Sequence, residues 1–150
     1  MNIRTIFATL ALLSAPAIAL AADGLIVLKS PHGASITMDR LEAEVKARGL
    51  NVFARIDHAA GAAKVGKTLR PTELLIFGNP QGGTPFMECA QTVGIDLPLK
   101  ALVWEDAAAQ VWIGYNDAAF IARRHEVPGC AVAANLSKAV TAIAQTVVAP

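Results

Sequence analysis

Hydrophobic and polar positions alternate with two different periods along this chain, and the change of period marks its elements. Gly24-Leu25-Ile26-Val27-Leu28-Lys29 is a short apolar run closed by Ser30-Pro31 and reads as a strand. Met38, Leu41 and Val45 then share one face at helical spacing. Glu42/Lys46 and Glu44/Arg48 form acid-first i,i+4 pairs on that helix, Ser35 and Thr37 offer caps, and Gly49 a stop. From Leu50 to Asp57 the period drops to two. Leu50, Val52, Ala54 and Ile56 point one way, and Asn51, Phe53, Arg55 and Asp57 the other.

The small residues Ala59–Gly66 suit a short helix. Thr72–Gly78 is a further strand, followed by the dense turn signal Asn79-Pro80-Gln81-Gly82-Gly83. Thr84-Pro85 reads as a cap and first-turn proline opening a short helix to Gln91. Leu99–Asp106 and Gln110–Asn116 read as the arms of a hairpin, with Trp104 and Trp112 as cross-strand partners. Asn116-Asp117 caps a short helix to about Arg124. Leu136, Val140, Ile143 and Val147 line one face of a last helix.

A hairpin makes its two strands antiparallel, and the long helices fall one early and one late. The expected architecture is therefore α+β: an antiparallel sheet of about five strands with helices on one face, in the order β-α-β4-α. Phe53, Leu102, Trp104 and Trp112 are expected on the uncovered face. Such a surface points to an interaction, most simply a homodimer.

The N-terminal segment follows a different logic. Arg4 and the terminal amine precede the apolar run Ile6–Leu13, Pro16 and the small-x-small sequence Ala19-Leu20-Ala21, which together read as a signal peptide over residues 1–21. Residues 22–150 then form a single exported domain, with the periplasm as the expected compartment. The apolar stretch falls short of the roughly 20 residues a membrane span needs, and no membrane association is expected after cleavage.

Composition narrows the function without supplying it. The 150 residues are 54% apolar and 17% charged, which excludes a disordered chain or a coiled coil. Of 13 Lys+Arg, Arg4 leaves with the leader, so 12 basic residues balance 12 acidic ones. That balance argues against a nucleic-acid partner.

Three blocks carry a family resemblance: Phe53–Ala63; Leu69–Pro80 with Gly83-Thr84-Pro85; and Gly94–Asp106. Together they resemble the bacterial family catalogued as domain of unknown function 302, over roughly residues 24–126. The resemblance implies a compact domain with a TATA-binding-protein-like β-α-β4-α arrangement, often dimeric. It implies no DNA binding, because fold does not set function, and it carries over no catalytic residue.

The candidate chemistry is sparse. Asp57-His58 could pair a carboxylate with an imidazole, or merely cap the next turn. Asn79 and Thr84 lie in a glycine-rich loop whose amides could hold a ligand, or form a plain turn; the loop lacks the ending of a P-loop. The expectation is a small-ligand or interaction module with a site around Asp57, His58, Asn79 and Thr84. The alternative is an enzyme or a metal- or haem-binding protein using His58 as base or ligand. His32, His125, Met87 and Cys89 are further possible ligands, and Cys89 a possible nucleophile with His58, although no ligand spacing is present. Cys89 and Cys130 can form a disulfide in an oxidising compartment, or remain two buried thiols.

Overall fold

The computed structural model describes residues 22–150. The expected leader, residues 1–21, lies outside the described residues. Five strands, β1 (Leu25–Ser30), β2 (Asn51–Asp57), β3 (Thr72–Gly78), β4 (Leu99–Glu105) and β5 (Val111–Asn116), form one sheet in the order β1-β5-β4-β3-β2. Every neighbouring pair is antiparallel. Strands β2 to β5 are a meander, and β1 adds itself beside β5. The first helix, α1 (Ala34–Ala47), therefore carries the chain from one edge of the sheet to the other.

The register decides which side chains meet. Leu75, Ala101, Tyr115 and Ile26 form one cross-strand row, and Val103, Ile113 and Leu28 the next, with Ile113 between the other two. These rows point toward α1 and the last helix, α5 (Ala131–Val147). Met38, Leu41 and Val45 from α1 and Val140, Ile143 and Val147 from α5 complete this core, all nearly free of solvent contact. Each such side chain stabilises the fold by roughly 1.5–3 kcal/mol. The one-sided α+β architecture is as the periodicity implied.

Four short elements fill the connections. They are α2 (His58–Lys64), α3 (Pro80–Cys89) with a 3-10 helix at Gln91–Ile95, and α4 (Ala118–Arg124). The 3-10 helix was not anticipated. Phe86, Val93, Ile121, Ala122 and Ala133 pack into a second apolar cluster beyond the end of the sheet.

Three local expectations are corrected. Helix α1 begins at Gly33 without a side-chain cap; Thr37 is fully buried and pairs with the Ser30 hydroxyl at 2.8 Å, while also donating to the Gly33 carbonyl. Helix α3 starts at Pro80, with Asn79 as its cap, not at Thr84-Pro85. Asn79 Oδ1 accepts from the Gly82 amide at 2.8 Å, and Pro80 at the first position forfeits no bond there, so Pro85 falls inside the helix. In β2 the strict alternation fails at a bulge between Val52 and Ala54. Val52 pairs with Phe77 on the helix side, Ala54 with Ile76 on the other, and Phe53 is the extra residue.

Candidate functional site

Phe53 is where the site begins. It was expected on the uncovered face, but the bulge turns it toward the helices, where it lines a cavity of about 330 Å³. Leu50, Phe77, Gly78 and Leu99 form the strand wall of this cavity. Pro80, Gly82, Gly83, Thr84 and Met87 of α3 form a second wall, and Leu136, Ala139, Val140 and Ile143 of α5 a third. Gly94 of the 3-10 helix and Leu97 and Pro98 just after it close the cavity. No lining residue is charged. Asn79 and Thr84 supply its polar side chains.

Glycines let the walls of the cavity approach one another closely. A Cβ on Gly82 would stand 3.4 Å from Leu136 Cδ2 and 3.3 Å from Asn79 Oδ1, and one on Gly94 would stand 3.3 Å from Met87 Sδ. These contacts are tight, so a larger residue at either position would require its neighbours to shift by a few tenths of an ångström.

Two braces hold the walls apart. The disulfide Cys89–Cys130, with Cα atoms 6.1 Å apart, joins the last residue of α3 to the residue that caps α5. On the remaining side, Asp96 receives a bond from Arg124 at 2.9 Å and from His125 Nε2 at 2.7 Å, while His125 Nδ1 pairs with the Thr92 hydroxyl at 2.9 Å. This group ties the 3-10 segment, and with it Gly94 and Leu97, to α4.

The four expected site residues do not converge. Asn79 and Thr84 line the cavity. Asp57 and His58 stand at the opposite end of the sheet. Gly78 pairs with Asn51 and Glu73 with Asp57, so the strand places roughly 17 Å between the two groups. A single pocket uniting His58 and Asn79 is therefore excluded by the antiparallel register. Asp57 caps α2, its Oδ1 accepting from the Ala60 amide at 2.8 Å, and His58 is exposed.

The metal and nucleophile readings fare no better. Both cysteine sulfurs are consumed in the disulfide. His32 Nε2 lies 2.8 Å from the Ala149 carbonyl, His125 is bonded to Asp96, and His58 stands apart from both. Among the described residues, no group of three His, Cys, Asp or Glu side chains is placed to hold a metal ion. The carboxylate–imidazole pair sought at Asp57-His58 is present instead between Asp96 and His125, 29 residues apart, a distance no local motif reveals.

Asp106 and Asp117 organise a turn and a helix start. Asp106 accepts from Trp112 Nε1 at 2.8 Å and from the Ala108 and Gln110 amides. The Trp112 indole bond is the leading reason its carboxyl is held below the usual carboxylate range. Asp117 caps α4 and accepts from the Ser137 hydroxyl. Arg55 bridges Glu73 of β3 and Asp39 of α1 at 2.6 Å each, and its guanidinium is held charged chiefly by Glu73. Glu42 is lowered first by Lys46 and then by Arg55.

The sheet face away from α1 and α5 carries Leu74, Leu102 and Val27 in one row, and Trp104 and Trp112 in the next. These side chains are half-buried. A shallow cleft there is lined by Leu69, Arg70, Thr72, Leu102, Trp104 and Glu105.

Comparison with known proteins extends the picture. The family model described as "Domain of unknown function DUF302" matches residues 26–143. Two curated proteins named fluoride-specific ion channel FluC 1, from Brucella suis biovar 1 (strain 1330) and Brucella abortus biovar 1 (strain 9-941), are each 49% identical over 105 residues. The match covers 70% of this chain but 41% and 39% of theirs, so the chain spans about two fifths of the length of the curated relatives it matches. A crystal structure of an uncharacterized conserved DUF302 protein from Bacillus stearothermophilus shares the fold, with a TM-score of 0.76 at 22% identity. The alignment covers 83% of this chain and 98% of that one.

Proposed function

We infer, for a chain that belongs to the DUF302 family, that the protein is a small-ligand binding module whose working site is the apolar cavity beside Asn79. One observation carries this reading: a volume of about 330 Å³ is enclosed on three sides by apolar side chains, with two polar groups at one edge. That is the usual makeup of a small-molecule site, where shape and desolvation supply affinity and a few polar groups set orientation. The test is a methyl-resolved NMR titration with 2-decanone. Resonances of Leu97, Leu99, Leu136 and Ile143 move if the cavity is the site. Shifts confined to the sheet face of Leu102 overturn the reading.

The bare sheet face supports a second element of the proposal, association with another copy of this chain. Covering the row of Leu74, Leu102 and Val27 and the Trp104–Trp112 pair would remove apolar surface that no helix reaches. Light scattering across a concentration series tests it, and a strictly monomeric mass at high concentration rejects it.

The fluoride channels named above bear on this reading through their unmatched portions. Among the described residues of this chain no helix is long and apolar enough to cross a membrane. We propose that the shared segment is a water-exposed module and that ion conduction belongs to the part of those relatives this chain does not match. The disulfide supports placing the module in an oxidising compartment, consistent with export.

A further inference from the structure

We propose that the ligand of this cavity is an uncharged, largely aliphatic molecule, on the order of ten non-hydrogen atoms in size, that presents one hydrogen-bond acceptor to Asn79 and Thr84. The proposal rests on the cavity being a binding site and adds its chemical class.

The size follows from the volume. About 330 Å³ lies at the small end of the roughly 300–1,000 Å³ range of ligand pockets, which suits a compact molecule of on the order of ten non-hydrogen atoms. The neutrality follows from the walls. No Lys, Arg or His lines the cavity, so a carboxylate or phosphate drawn inside would leave water without a counter-charge, and no Asp or Glu is there for an amine. The polarity of the head follows from Asn79. Its Oδ1 is committed to the Gly82 amide, which fixes the orientation of the side-chain amide and leaves Nδ2 with its two donors. The Thr84 hydroxyl, exposed at the mouth, can add a third. These donors suit an acceptor on the ligand, a carbonyl or ether oxygen.

The experiment compares 2-decanone with decanoate at pH 8, by titration calorimetry, on the wild-type protein and two variants. Asn79→Asp keeps a side-chain oxygen for the Gly82 amide, since aspartate caps helices as well as asparagine, but removes the donors and adds a negative charge. Ala139→Phe fills the cavity from an exposed helix position. We expect the wild-type protein to bind the ketone at least tenfold more tightly than the carboxylate. Asn79→Asp should weaken the ketone about tenfold with an unchanged unfolding midpoint, and Ala139→Phe should abolish binding. Equal or tighter binding of decanoate, or a ketone affinity untouched in Asn79→Asp, overturns the ligand class while leaving the site standing. Undiminished ketone binding in Ala139→Phe, or none in the wild type, overturns the site as well.

Discussion

Cys130, the cap of α5, is covalently bound to Cys89, the last residue of α3. Two walls of the cavity are thereby joined at one point, and α3 needs that support. It contains two glycines and an internal proline, each of which lowers helix stability. Closing a loop over a sequence separation of 41 contributes about 4 kcal/mol in the chain-entropy picture. Replacing both cysteines by serine should lower stability by about that amount in urea unfolding and weaken ketone binding. A loss under about 1 kcal/mol would show that packing alone holds α3.

Gly114 faces Trp104 so closely that a Cβ there would stand 2.9 Å from ring carbon Cζ3. Trp104 stands opposite Trp112 in the strand register, so a displaced indole would disturb that cross-strand pair. Gly114→Ala should cost about 1–3 kcal/mol, as overpacking usually does, and shift the tryptophan fluorescence. Wild-type stability with an unmoved spectrum would mean the face is looser than described.

Acid should act through Asp106. Its carboxyl titrates lower in the folded protein than in the unfolded chain because the Trp112 indole and two amides donate to the charged form. The resulting stability is complete above about pH 4 and drains away as pH falls through the folded value. Asp106→Asn lacks this component, so its melting midpoint should fall less steeply than the wild type's on acidification below that pH. Parallel curves would remove Asp106 from the acid response.

Arg55 holds three carboxylates, Glu73, Asp39 and Glu42, together between β2, β3 and α1. Arg55→Met should cost about 1 kcal/mol, because these partly exposed pairs are worth little singly. The loss should shrink between about 0.05 M and about 1 M salt as the remaining repulsion is screened. A salt-independent deficit would point to packing of the arginine stem instead.

His58 offers a contrast with Asn79. It is exposed and begins a helix far from the cavity, so His58→Ala should leave stability within about 0.5 kcal/mol and ligand affinity unchanged. Asn79→Ala should lose about 1 kcal/mol with its cap and weaken ketone binding. A reversal of those two binding results would relocate the site.

Much of this was written in local pattern. The apolar face of α1 at Met38, Leu41 and Val45, the hairpin with Trp104 opposite Trp112, and the caps Asp57 and Asp117 all depend on neighbours a few residues away or on one strand register. The candidate site was half legible. Asn79 and Thr84 stood out as polar residues in a glycine-rich turn, and they do line the cavity. His58 stood out equally and lies elsewhere, because adjacency to a carboxylate in sequence says nothing of which end of a strand a residue occupies.

Periodicity and composition were enough to establish a one-sided α+β domain, since burying one face of each element is a requirement each segment meets by itself. Where the cavity lies was settled by assembly. A bulge redirected Phe53, antiparallel pairing carried Asp57 and Asn79 to opposite ends, and Asp96 found His125 across 29 residues. Such outcomes depend on which distant segments share a wall, and pairwise contact between segments is a property of the packed chain that no window of sequence contains.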